Sequence, residues 1–240
     1  PRLDAAAVCT SAVWPSRRIV STMPSAVNGF TKQAAPAAAV VPGGSGLQQP
    51  TTMAFLSAND FLVLEKATGR VRRVLNNTLQ AGFALDVSVT SDSERGLLGI
   101  AILQGSPVRV FLYYTEAAFD GGTPIGNRVY RYDWNPGPGT LTNPVLVLDL
   151  PVTPGPNHDG GIVLLDSQGS LFVVIGELNR NGQLQNNPTG APPDDTGVIF
   201  RVNQDGTAAA GNPFSPYCST TTTQTCTATP DCPGGQTCRT

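Results

Sequence analysis

The sequence is poor in histidine, in charge and in long apolar runs, and each shortage excludes something. Only one His occurs in 240 residues, at position 158. Charged residues make up 13%, with 15 Lys and Arg against 17 Asp and Glu and a net charge of −2. That balance gives no electrostatic case for a nucleic-acid partner or an anionic membrane surface. No apolar run approaches the roughly 18 residues that a spanning helix needs. Low charge combined with 26 Gly and 21 Pro instead predicts a turn-dense, all-β protein. Hydrophobic residues at 40% mark a globular chain with a real core rather than a disordered one.

Cysteine is also scarce until the end. Cys9 stands alone, whereas Cys218, Cys226, Cys232 and Cys238 crowd a Thr-, Gly- and Pro-rich tail. A segment with so little apolar core of its own, carrying four thiols, suggests disulfides and an oxidising compartment, periplasmic or extracellular. Zinc is the rival reading, weakened by the lack of a C-x2-C pair or a nearby His. The chain starts at Pro1, which predicts a processed or cut N-terminus and leaves a secretory leader untested.

Residues 1–46 show no sustained period and end in the linker-like APAAAVVPGGSG. From 47 to 214 the pattern is regular. TMAFL, FLVLEK and RVRRVL form a first run of three short strands around the turns SAND and ATG. LLGIAIL, VRVFLYYT and RVYRYDW form a second, and GIVLLD, LFVVIGE and VIFRVNQ a third. LDVSVT (85–90) and VLVLDL (145–150) are possible fourth strands. The same unit therefore starts near residues 52, 97 and 161. Repetition of antiparallel three- or four-strand units predicts β-propeller blades, with a β-sandwich of the same meanders as the alternative. Three blades do not close a ring of about 4 to 8, so the rest is expected from a longer protein or in trans. Residues 215–240 read as a Cys-rich loop or insertion.

The third unit carries the candidate chemistry. In PGPNHDGGIVLLDSQGSLFVVIGELN, His158 precedes the first strand of a hairpin and Glu177 follows the second. Antiparallel pairing brings both to one rim of the sheet. An imidazole beside a carboxylate is a candidate base with its orienting acid. By the same topology Gln49, Glu94, Arg95, Lys66 and Glu116 belong to that rim. Asp194 and Asp195 could offer oxygen ligands to calcium, but adjacent carboxylates in a Pro-rich loop are more often simply exposed. Trp14 and Trp134 could stack on sugar rings, but for Trp134 outer-strand packing is the expected role.

Taken together, QPTTMAFL, SERGLLGIA, NRVYRY, NHDGG, VVIGELNRNGQLQN and GVIFRVNQDGTAAAGNPF resemble the soluble pyrroloquinoline quinone (PQQ)-dependent sugar dehydrogenases, the glucose/sorbosone dehydrogenase family. The resemblance runs from about Gln49 to Phe214. It implies a six-bladed propeller of which this chain supplies about half. It implies oxidation of a sugar C1 hydroxyl to a lactone, with His158 as the base, PQQ as hydride acceptor, calcium on the quinone and an external electron acceptor. Glu177 stands where the family usually has Asp, one methylene shorter. Glu94 matches a quinone-contacting position that is often Gln, and Arg95 follows it. An anion there meets the carboxylates of PQQ unless Arg95 or calcium offsets it. The calcium ligands and an Arg-Asn motif for quinone and sugar are expected beyond Thr240, so the chain alone is expected to bind PQQ poorly and to be inactive. A secreted propeller that has become a non-catalytic binding module for carbohydrate or protein is the alternative, motivated by Glu94, Glu177 and the Cys-rich segment.

Overall fold

A computed structural model of the chain describes residues 46–182 and 194–212, together with 217–218, 234 and 238–239. The chain divides into two units, 1–34 and 35–240. The first lies outside the described residues, as do Cys9 and Trp14, and so do the side chains on which the disulfide reading rests.

Among the described residues there are fourteen strands and no α-helix. The first sheet contains β1 (Pro50–Ser57), β2 (Asp60–Glu65), β3 (Arg70–Leu75) and β4 (Thr78–Leu79) in that order, with β5 (Leu85–Asp86) also on β3. The second contains β6 (Leu97–Leu103), β7 (Arg109–Ala117), β8 (Pro124–Asn135) and β9 (Thr140–Leu150). The third contains β10 (Ile162–Leu165), β11 (Leu171–Ile175) and β12 (Val198–Val202). β13 (Tyr217–Cys218) and β14 (Cys238–Arg239) pair with each other in the tail. Every pairing within these sheets is antiparallel, so each of the first three sheets is a meander, as a propeller blade requires.

The packing explains why the second strand of each unit is the most apolar. β2 is buried along its whole length. On β7 the side chains alternate with the pleat. Val110, Leu112 and Tyr114 face the first blade, where Leu62, Leu64 and Val71 meet Tyr132 and Trp134. Phe111 and Tyr113 face the third blade and meet Val163, Leu171, Val173 and Phe200. The middle blade is thus clamped on both faces. Trp134 belongs to this core, with the Arg73 guanidinium 5.0 Å from its ring centroid, so its role is packing.

Two departures from the sequence pattern have local causes. Of the segment 85–90 only Leu85–Asp86 joins the first sheet. The chain then crosses to the second, where the Thr90 amide donates to the Thr115 carbonyl. The backbone of Val87 lies against Gly69, where a Cβ would overlap its carbonyl oxygen. β9 starts at Thr140, five residues before the expected VLVLDL, because the edge of the sheet tolerates Asn143 with φ 55° and Pro144 at a register shift.

Candidate active site

The rim of the third blade is shaped by glycine. His158 itself lies in the left-handed region, with φ 60°. Its carbonyl passes directly over Gly176, where any Cβ would overlap it. Gly161 (φ 98°) lies against Leu98 of the second blade, and a Cβ there would sit 2.5 Å from the Leu98 Cβ. NHDGG therefore holds its glycines for close backbone approach, and the chain reaches β10 only at Ile162.

These constraints bring His158 to Glu177. The His158 Nδ1 and Glu177 Oε1 are in direct hydrogen-bond contact. An ionised carboxylate only accepts, so Nδ1 carries the proton and Nε2 keeps its lone pair. The imidazole side chain is 58% exposed, whereas the Glu177 side chain is 10% exposed. The Glu177 hydrogen bond raises the His158 pKa above its ordinary 6.5, with the Glu94 and Asp159 charges adding to it. Glu177 is held below the usual carboxylate range, first by the imidazole and then by the backbone amides of Gly182 and Arg180. Leu178, Asn179 and Asn181, which follow Glu177, all have positive φ. Left-handed non-glycine residues cluster around this rim, as strained backbone does at functional sites.

Glu94 also reaches the loop. Its carboxylate accepts the His158 backbone N–H, and its own amide donates to the Pro156 carbonyl at 3.3 Å. The Ser93 hydroxyl donates to the Asn157 side-chain oxygen, and the Asn157 amide to Asn179 Oδ1 at 2.8 Å. The loops of the second and third blades are thereby laced together around His158.

The other rim residues have different partners. Arg95 is buried and donates to the Val152 carbonyl and to Asp92. Lys66 Nζ donates to the carbonyls of Ser91 at 3.1 Å and Ser93 at 2.7 Å. Gln49 offers its carbonyl to the Lys66 amide at 3.0 Å. Glu116 is engaged by Arg128 and by the Tyr130 hydroxyl at 2.9 Å. Asp194 pairs with Arg180 and accepts from Thr196. Among the described residues no group of three or more His, Cys, Asp or Glu side chains is arranged to hold a metal.

Beneath His158 lies a polar group that motif reading does not single out. Asp159 is fully buried. Asn127 Nδ2 donates to its Oδ1 at 3.0 Å and to the Pro151 carbonyl at 3.0 Å. The Thr115 hydroxyl donates to Asn127 Oδ1 at 2.7 Å, and the Tyr113 hydroxyl donates to the Asp159 carbonyl at 2.9 Å. Burial raises the Asp159 pKa, against the Asn127 hydrogen bond and the Arg95 charge. Thr115 closes the apolar run VFLYY of β7 and Asn127 opens the mixed strand β8, and both are fully buried.

Comparison with known proteins agrees with this architecture. The aldose sugar dehydrogenase YliI of Escherichia coli is 27% identical over 179 residues, covering 70% of this chain and 44% of that protein. The PQQ-bound aldose sugar dehydrogenase of Streptomyces coelicolor superposes with a TM-score of 0.59 at 30% identity, over 70% of this chain and 48% of that one. The apo-form of the soluble aldose sugar dehydrogenase of E. coli gives 0.57 at 26% identity, over 70% and 48%. The chain thus spans about half the length of these relatives, and its three meanders are blades of an incomplete propeller. The profile of the glucose/sorbosone dehydrogenase family matches residues 47–222, and the chain belongs to that family.

Proposed function

We propose that the protein is the base-bearing part of a PQQ-dependent aldose dehydrogenase that oxidises a sugar C1 hydroxyl to the lactone. The observation that carries this reading is the His158–Glu177 pair. An exposed imidazole presents a free Nε2 to solvent, with its other nitrogen tied to a buried carboxylate. Such a pair removes a proton from a hydroxyl as its hydride departs, and the carboxylate stabilises the imidazolium that forms. His158 is the proton acceptor and Glu177 its positioning partner. Glu94 fixes the backbone of the base rather than touching the sugar.

The described residues fit the base's half of such a site and do not fit the carboxylates of PQQ. Lys66 and Arg95 are committed to backbone carbonyls. Glu94 and Glu177 are the charged groups bonded to His158, and they repel an anionic quinone. On this reading, donors for the quinone and ligands for calcium are supplied by residues other than these. The four tail cysteines support an oxidising compartment for the protein, periplasmic or extracellular.

In the complete protein supplied with PQQ and calcium, dye-linked oxidation of an aldose panel is the expected activity, and His158→Ala removes it. PQQ binding without oxidation of any sugar counts against the reading, and failure to bind PQQ refutes it.

A further inference from the structure

We propose that Asp159, held by Asn127 and Tyr113 of the second blade, is a positioning residue that keeps His158 against Glu177. His158 occupies a left-handed backbone conformation that a non-glycine residue holds only when its surroundings over-determine it. Its preceding side is fixed by surface bonds, from the Asn157 amide to Asn179 and from the His158 amide to Glu94. Its following side is fixed from within the protein. Asp159 is bound at both ends: its side-chain Oδ1 takes the Asn127 amide, and its backbone carbonyl takes the Tyr113 hydroxyl.

Every side-chain donor in this strut comes from a strand. Tyr113 and Thr115 are on β7 and Asn127 is on β8. The Gly96 amide approaches the Thr115 hydroxyl at 3.5 Å, Thr115 orients Asn127, and Asn127 binds both Asp159 and the Pro151 carbonyl. The loop carrying the base is therefore tied to the rigid middle blade, not to its own hairpin alone. Asp159 Oδ2 is buried without a hydrogen-bond partner, so the carboxylate is held through Oδ1, and loss of Asn127 leaves it desolvated with no side-chain partner. Burying a carboxylate is costly, and here it sits one residue from the proposed base.

The inference rests on His158 being the base, but its readout does not require turnover. His158 is the only histidine of the chain, so one imidazole Nδ1–H signal reports the contact with Glu177. In ¹⁵N-edited NMR of the 240-residue protein, the wild type is expected to show that proton shifted downfield and slow to exchange. Asp159→Ala is expected to lose it, whereas Asp159→Asn, which keeps an oxygen for Asn127, retains it. Retention in Asp159→Ala, or loss in both variants, overturns the proposal. If Asp159→Ala does not fold, Tyr113→Phe is read in its place: a broadened signal supports the strut, and an unchanged one overturns it. In the complete enzyme, Asp159→Ala is expected to lower kcat about tenfold and to change KM by less than about twofold, the pattern of a lost transition-state interaction. A wild type that shows the Nδ1–H signal but oxidises no sugar refutes the assigned function and leaves the strut standing.

Discussion

Replacing Glu177 with Gln keeps the shape of the side chain and removes its charge, which separates two jobs that the carboxylate performs. The first is electrostatic. The Glu177 hydrogen bond is the largest of the influences raising the His158 pKa above 6.5. A base must be neutral to accept a proton, so activity is lost as pH falls through that raised value. Without the carboxylate the acid limb of kcat/KM moves to lower pH. What remains is set by desolvation, which lowers the imidazole pKa, against the Glu94 and Asp159 charges, which raise it. The second job is orientation, fixing Nδ1–H and so freeing Nε2. A positioned general base is worth about 10²–10⁴-fold in rate, and Gln can hold the ring in either tautomer. A fall in kcat of roughly 10²-fold at the alkaline plateau is therefore expected. The assay is dye-linked sugar oxidation by the PQQ-loaded complete protein across the pH range. An acid limb that does not move, or a plateau kcat equal to wild type, refutes the pairing as the source of activity.

Gly176→Ala places a methyl group on the His158 carbonyl, and either the hairpin end or the base loop must shift. A loss of about 1–3 kcal/mol in chemical denaturation is expected, together with loss of the His158–Glu177 contact. Phe111→Ala opens the seam between the second and third blades, where Phe111 is fully buried, and should cost about 3–5 kcal/mol by the same measurement.

The strands were legible because their signals are local. β2, β7 and β11 are short, rich in β-branched and aromatic residues and bounded by turn residues, and each lies within two residues of where the pattern places it. The His158–Glu177 pair was legible for a similar reason, since hairpin topology alone puts its two ends together. What sequence pattern could not supply was the fate of residues whose partners are distant along the chain. Arg95 turns inward to Val152, 57 positions away, and Tyr113 reaches Asp159, 46 positions away. A charge beside a motif looks the same in sequence whether it faces a ligand or clamps a loop. The direction taken by 85–90 was hidden likewise, because the close approach of Val87 to Gly69 depends on how two sheets meet.

The central claim is that the imidazole of His158 is coupled to the Glu177 carboxylate and offers Nε2 as a base. With a single histidine in the chain, NMR titration of its carbon-bound ring protons needs no cofactor and no assignment. The account predicts a midpoint above 6.5 that falls toward 6.5 in Glu177→Gln, with Nδ1 protonated in the neutral ring. A midpoint at or below 6.5 in the wild type, or one indifferent to Glu177→Gln, would contradict it.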